Sequence, residues 1–407
     1  MTPKTRLRRA APLDVRFDSA GLATVRHAGG SVHAGPHTLA ILDAFARPKT
    51  FEEGLRELGI RAPGAESWME LSSAVVSLAR VGVLVEVDSD DRRLSETGGF
   101  GSVRSHAAML DDRARTSAFV EAVAKVVRPG DVVVDIGTGT GILAMAAARA
   151  GARRVYAVES SAIAKVARRA IVANGFSDVV EVVEGWSTEV TLPERCDVLV
   201  TELIGDDPLC ERIVEVVADA RKRLLKDDAR VIPEELVVSV VPVTLDGGRT
   251  PTTVDAASIA RWREWYGFDL SALRDALGDE SPRVMRPAVE MRSTTALGPD
   301  VTTFSMDLRA GVRKVPSVDR DGVVPSSWDV SGTIDAPGQL EAFVMCFDAR
   351  LAEGIRISTH PARVDDGICW LSAVWPVHGP KVVAAGASYA LRITHAADGA
   401  LRVRLLP

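Results

Sequence analysis

The sequence predicts a three-part α/β chain: a doubly wound parallel sheet, with a small α+β module before it and a strand-rich domain after it. Three observations carry this. Between about residues 100 and 243, short β-branched strands alternate with helical stretches. Residues 1–90 place short strands before three apolar helical stripes, and residues 244–407 are dominated by strand and turn patterns. A chain of 407 residues, 46% hydrophobic and 26% charged, has the material for two or three separate cores.

In the first module, residues 13–17 alternate with period two, and Gly29-Gly30 marks a hairpin turn. Leu39, Leu42 and Phe45 predict one helix, Phe51, Leu55 and Leu58 a second, and Trp68, Leu71, Val75 and Leu78 a third. Residues 83–87 close the module as a strand. Lys4, Arg6, Arg8 and Arg9 are followed by no apolar h-region, so residues 1–9 read as a short basic tail and not a signal peptide. A charge run and Gly98-Gly99 make residues 89–101 the expected linker.

The central part offers strands at 132–136, 155–158, 180–183 and 198–201, with helices at 142–150 and 162–174 between them. In the last part, strands are expected at 340–347, 370–377 and 401–406, forming a β-barrel or sandwich, with a helical insertion at 256–277. The net charge of -6 gives no basic field for nucleic acid. No apolar run is long enough to span a bilayer. Cys196, Cys210, Cys346 and Cys369 form no C-x-x-C pair, which argues against a zinc site or a disulfide framework and predicts a cytoplasmic protein.

The most informative segment runs from Val132 to Glu159. A buried strand ends on Asp135, and Gly137, Gly139 and Gly141 follow at alternate positions before a helix. Such glycines let the backbone approach a ligand and adopt angles that a Cβ forbids. The spacing is G-x-G-x-G, not the dinucleotide G-x-G-x-x-G. Asp135 is placed to organise the cationic amino group of a bound amino acid. Glu159, ending the next strand, is placed to accept from a ribose diol. Taken together, strand, glycine turn, helix, strand and terminal acid make S-adenosylmethionine, a nucleoside joined to an amino acid, the expected cofactor. Ser187 and Thr188, after the third strand, stand either where an adenine edge is read or in a solvent-facing loop.

After the fourth strand, Glu202 and Glu211 bracket a Gly/Pro loop at a strand's carboxyl end. Two carboxylates can grip a guanidinium in a bidentate fork and draw its charge from the attacking nitrogen. A primary amine could use the same pair, one acid as clamp and the other as proton acceptor.

This Glu–(eight residues)–Glu loop with Gly205 resembles the double-glutamate loop of protein arginine methyltransferases. The resemblance runs from about Phe100 to the end. Residues 106–116, Gly139 to Ala147, Trp265 to Ser271, and residues 357–361 with Trp370 resemble further parts of that family. It implies a Rossmann-like methyltransferase domain followed by a β-barrel domain with a helical dimerisation arm, hence a homodimer. It also implies that Met109 covers the cofactor, that Arg115 holds its carboxylate, and that Trp370 belongs to the family's Thr-His-Trp loop. Several positions depart from the pattern. Leu203, Asp206 and Cys210 replace aromatic residues, Asp207 adds an acid, Cys369 stands where a His braces a glutamate, and Phe100 lacks a tyrosine's hydroxyl. The expected acceptor pocket, lined by Phe100, Asp206, Asp207, Cys369 and Trp370, is wider and more acidic than the family's. Trp370 reads equally as barrel core, and His106 reads as a helix-end residue.

Residues 1–90 resemble PqqD-like winged-helix domains, which recognise leader peptides of ribosomally made natural products by strand addition. The third helix has only Arg80 as a cation between Ser67 and Val81, so no basic recognition helix is evident. A structural cap is the alternative role. The combined expectation is an N-methyltransferase tailoring a peptide on a cationic nitrogen, with no metal. Alternatives are arginine methylation of folded proteins and a non-catalytic cofactor-sensing DNA-binding regulator.

Overall fold

Leu7 decides the structure of the amino terminus. In the computed structural model of the chain, which describes residues 5–10, 13–17, 23–27, 30–33, 35, 37–47, 49–59, 65–86, 102–245, 256–273, 283–315, 326–395 and 401–406, this leucine is fully buried. The segment expected to be a basic tail is the strand Arg6–Arg9, the middle strand of a three-stranded antiparallel sheet. Leu7 pairs with Lys49 on one side and Glu86 on the other. One apolar residue among arginines gives no periodicity, and both partner strands lie far along the chain, so only tertiary pairing reveals the strand.

The chain divides into two compact units, Met1–Leu110 with Val132–Pro193, and Asp111–Asp131 with Glu194–Pro407. In the first unit, strands Asp14–Phe17, Ala23–His27 and Gly30–His33 form an antiparallel meander in that order. The module thus has more strands than the sequence suggested. Helices Thr38–Ala44, Phe51–Gly59 and Ala65–Arg80 and strand Leu84–Glu86 lie where the apolar stripes put them. Leu7, Ile41, Phe45, Leu55, Leu71, Val75 and Leu84 share one core. Leu39 departs from the expected stripe and is exposed, its place being taken by Ile41.

The same unit carries three parallel strands, Val132–Ile136, Arg154–Glu159 and Val180–Glu184, in register Val132↔Arg154 and Val155↔Val180. Val132–Ile136 is buried along its whole length, as a central parallel strand must be. Helix Ile142–Arg149 buries Ala144, Ala146 and Ala147, whose small side chains permit close packing.

In the second unit, Cys196–Thr201 pairs in parallel with Leu225–Ile232, and helix Ile213–Arg223 links them. An eight-stranded antiparallel sheet follows, built on Glu235–Thr244, Gly338–Ala352 and Leu371–Val383. Glu235–Thr244 pairs with Gly338–Ala352 from Glu235↔Arg350 to Val243↔Ala342, so the strand-rich part begins there and not at the expected residue 244. Ser327–Thr333, Ser388–His395 and Leu401–Leu405 form a separate three-stranded sheet. Within the expected arm, helix Ala256–Tyr266 ends at Gly267, and residues 274–277 lie outside the described residues, as do Phe100, the 89–101 linker and Gly29.

Candidate active site

The glycine turn behaves as its spacing requires. Gly137, Gly139 and Gly141 have φ of 77°, 56° and 84°, a region where an L side chain is strained. The backbone N–H groups of Gly137 and Thr138 both donate to the Val158 carbonyl, at 3.0 and 3.1 Å. Glu159 fastens the turn from the next strand: its two oxygens accept from the Gly139 N–H at 3.0 Å and the Ser161 N–H at 2.8 Å. His106 corrects one expectation. It is buried inside helix Val103–Asp111, not at a helix end, and a Cβ on Gly139 would stand 2.8 Å from its Cε1. Gly139 is therefore required twice, by its backbone angle and by the imidazole against it.

Asp135 carries the observation that tests the cofactor reading. Its Oδ2 accepts from the Thr138 hydroxyl at 2.5 Å, and its buried Oδ1 has no partner at good hydrogen-bond geometry, although the Ala144 N–H also acts on the carboxyl. Burial pushes the carboxyl up to about 7. A carboxylate oxygen with no well-aligned partner at the head of a glycine turn suits an ammonium donor, so these residues fit the amino-acid half of S-adenosylmethionine.

In the second unit, the loop after Cys196–Thr201 holds both glutamates. The Arg115 guanidinium forms an ion pair with Glu202, whose other oxygen accepts the Ile204 N–H at 3.1 Å. Arg115 also stands over the Trp370 ring, 5.5 Å from its centroid. Burial pushes Glu211 up to about 8, and the neighbouring Glu202 charge adds to the rise. Two backbone features fix Glu211. A Cβ on Gly205 would collide with the Cys210 sulfur and lie 3.2 Å from Glu211 Oε1. Arg212, the next residue, has φ of 62°, the single positive value at a non-glycine among the described residues. Such a conformation costs about 1–2 kcal/mol, so the surrounding loop must enforce it.

The loop is tied to the sheet at three points. The Trp370 indole N–H donates to the Ile204 carbonyl at 2.7 Å, and the Leu371 N–H to Asp206 Oδ1 at 2.7 Å. Asp207 pairs with Arg283 at 2.9 Å and accepts the Leu401 N–H at 3.2 Å. Asp207 was expected in the acceptor pocket; it is buried with each oxygen engaged, and its role is structural. Trp370 is buried and packs edge-on against Phe347, with centroids 5.0 Å apart, so it is both sheet core and loop support. Cys369 donates its backbone N–H to Asp112 at 2.9 Å. Burial pushes its thiol up to about 12, leaving it neutral and unable to serve as a base near neutral pH.

Met109 is half-buried on helix Val103–Asp111, Ser187 is half-buried in a turn, and Thr188 is exposed. Sequence reasoning missed Thr138, Asp112 and Trp186. Asp112 caps helix Arg113–Val126 by accepting the Arg115 N–H, and an acid before a helical stretch was the available signal. Among the described residues no cluster of His, Cys, Asp or Glu is arranged to hold a metal ion. No helix among them is long and apolar enough to cross a membrane.

The comparisons agree with this chemistry. Residues 112–234 match the family model of ribosomal protein L11 methyltransferase (PrmA). The chain is 38% identical over 176 residues to probable protein arginine N-methyltransferase 6 of Arabidopsis thaliana, covering 43% of this chain and 39% of that protein. It is 28% identical over 341 residues to the arginine N(omega)-methyltransferase of Streptomyces achromogenes subsp. streptozoticus, covering 83% of this chain and 87% of that one. In structure it is similar to the Trypanosoma brucei PRMT1 enzyme–prozyme heterotetrameric complex with AdoHcy, with a TM-score of 0.61, 25% identity, and coverage of 76% of this chain and 95% of that one. In sequence and fold the chain resembles S-adenosylmethionine-dependent methyltransferases. Protein arginine methyltransferase 10 of Arabidopsis thaliana is similar at a TM-score of 0.58 and 25% identity, covering 72% of this chain and 88% of that one. The likeness to these neighbours implies a Rossmann-like domain followed by a β-barrel in this chain. The chain spans less than half the length of the first curated relatives it matches.

Proposed function

We propose that this chain transfers a methyl group from S-adenosylmethionine to a cationic nitrogen, guanidino or amine, of a peptide. The observation that carries the reading is the Arg115 guanidinium held by Glu202 against the Trp370 ring. A carboxylate that accommodates one guanidinium in a partly buried, aromatic-floored site is chemically suited to another. When bound, the cofactor supplies an electrophilic methyl on a sulfonium. The acceptor nitrogen needs a free lone pair on the line of the sulfur–methyl bond. Glu202, held by Arg115 and the Ile204 N–H, would orient the cation through its remaining lone pairs, and Glu211, whose proton affinity is raised, would take the proton released as the nitrogen–methyl bond forms. The products are the demethylated thioether, the methylated nitrogen and a proton on Glu211.

The acceptor is a peptide in this reading because of the first module. Its meander has two outer strands, Asp14–Phe17 and Gly30–His33, each paired on one side among the described residues. An extended peptide can add to such an edge through backbone hydrogen bonds, with few fixed side chains. This supports a winged-helix-like recognition role for residues 1–90 and the tailoring of a ribosomally made peptide. Arginine methylation of folded proteins is the second reading, supported by the names of the relatives. The likeness along 83% of the chain to an arginine N(omega)-methyltransferase favours a catalytic role over that of a non-catalytic regulator. A homodimer is part of the proposal, because Trp265, Tyr266 and Phe268 on the arm are 59%, 61% and 69% exposed.

The test incubates the full chain and labelled cofactor with short peptides, some with arginine and some with only an amino terminus, and with a folded arginine-rich protein. Methylation of peptides at nitrogen, read by fragmentation mass spectrometry, supports the proposal. Label appearing only on the folded protein favours the second reading.

A further inference from the structure

Trp186 was not singled out by the sequence, yet it joins two parts of the first unit. Its backbone carbonyl accepts from the Glu189 N–H at 2.9 Å and the Val190 N–H at 3.0 Å, and so builds the turn that carries Ser187 and Thr188. The preceding Gly185 has φ of 148° and donates its N–H to the Glu159 carbonyl at 3.0 Å, tying the turn to the strand that ends on the acid expected to meet the ribose. The placement of Trp186 therefore fixes the segment expected to meet the adenine.

Polar contacts do not hold the indole, since its N–H is buried without a hydrogen-bond partner. What covers it is Arg26, whose guanidinium carbon lies 5.0 Å from the ring centroid. Arg26 belongs to Ala23–His27, the middle strand of the amino-terminal meander, where it stands opposite Asp14 and Ser31. A guanidinium over a tryptophan face is a favourable pairing that gains strength as water is removed.

We infer that Arg26 is a positioning residue for the cofactor: acting through Trp186, it sets the turn that receives the adenosyl end, so the amino-terminal module tunes cofactor affinity. This rests on the S-adenosylmethionine reading. The module is then more than a substrate adaptor, because one of its strands completes the support of the nucleoside site.

The test uses the full chain and S-adenosylhomocysteine, with affinity read by titration calorimetry. Arg26→Ala is expected to weaken binding about fivefold, close to 1 kcal/mol. Arg26→Lys, which keeps the cation, should recover most of that loss. The KM for S-adenosylmethionine should rise while kcat at saturating cofactor stays unchanged. In a Trp186→Leu background, Arg26→Ala should cost nothing further. Wild-type affinity in Arg26→Ala overturns the inference. So does a loss that Lys fails to recover and that comes with a matching fall in kcat, since general destabilisation behaves that way. Failure of the wild-type chain to bind the ligand at all would instead overturn the cofactor reading.

Discussion

Arg115 and Glu202, 87 residues apart in sequence, form an ion pair in which both side chains are nearly buried, at 13% and 11% exposure. The pair joins helix Arg113–Val126 to the loop that carries both glutamates. A buried pair is weak grounds for stability, but removing one partner strands the other charge. Arg115→Ala should therefore lower unfolding free energy by about 3 kcal/mol in urea titration. Adding Glu202→Gln should return part of that loss, because the orphaned charge disappears. Equal stability of Arg115→Ala and wild type would show that water reaches Glu202 freely.

Glu211 sets a pH dependence whose sign can be worked out. Its folded pKa is raised from 4.5 to about 8, so the neutral form is favoured in the folded chain without substrate. The stability it contributes is complete below about pH 4.5 and is lost as pH rises toward 8. A cationic acceptor needs the charged form, so acceptor affinity should strengthen across the same window. Glu211→Gln should flatten both curves, as read by urea midpoints and by KM against pH.

Asp135 predicts a second dependence on the donor side. Its folded pKa is raised from 3.8 to about 7, so an ammonium ligand must bind against a proton below that pH. Affinity for S-adenosylhomocysteine should rise with pH up to about 7 and then level off. Asp135→Asn should weaken binding about tenfold or more and remove the slope. An unsloped wild-type curve between pH 5 and about 7 would contradict the ammonium assignment.

Trp370→Phe isolates the role of one hydrogen bond. The ring is retained beneath Arg115, but the buried Ile204 carbonyl loses its donor. We expect kcat/KM to fall about tenfold with little change in cofactor affinity, as loosening of the loop requires. A fall in cofactor affinity of the same size would mean that the indole supports the donor side instead.

These residues show how far the sequence could be read. The glycine turn was legible because positive φ at alternate positions leaves a mark in composition, and Glu202 and Glu211 were legible because loop spacing survives in the chain itself. Arg6–Arg9 was not legible, because a four-residue strand with one buried side chain has no period of its own. Asp207 was misplaced because its partners, Arg283 and Leu401, lie 76 and 194 residues away, and an acid in an acidic loop gives no sign of which way it faces. The Asp112–Cys369 hydrogen bond spans 257 residues and uses a backbone donor, which no side-chain pattern records.

The arm offers a separate check on assembly. Trp265→Glu with Phe268→Glu places charges on the exposed apolar face of helix Ala256–Tyr266 and the turn after it. Light scattering should show the mass falling from two chains to one, while a wild-type chain already monomeric at micromolar concentration would remove the dimer from the account.

Glu202 and Glu211 together are proposed as the site that holds the methyl acceptor. Single-turnover transfer from labelled cofactor to a peptide, compared in wild type, Glu202→Gln and Glu211→Gln, tests it most directly. Each substitution should slow transfer at least about a hundredfold, as loss of a charge-assisted contact in the transition state requires, with S-adenosylhomocysteine affinity changed less than about threefold. Wild-type transfer rates in both variants would contradict the account.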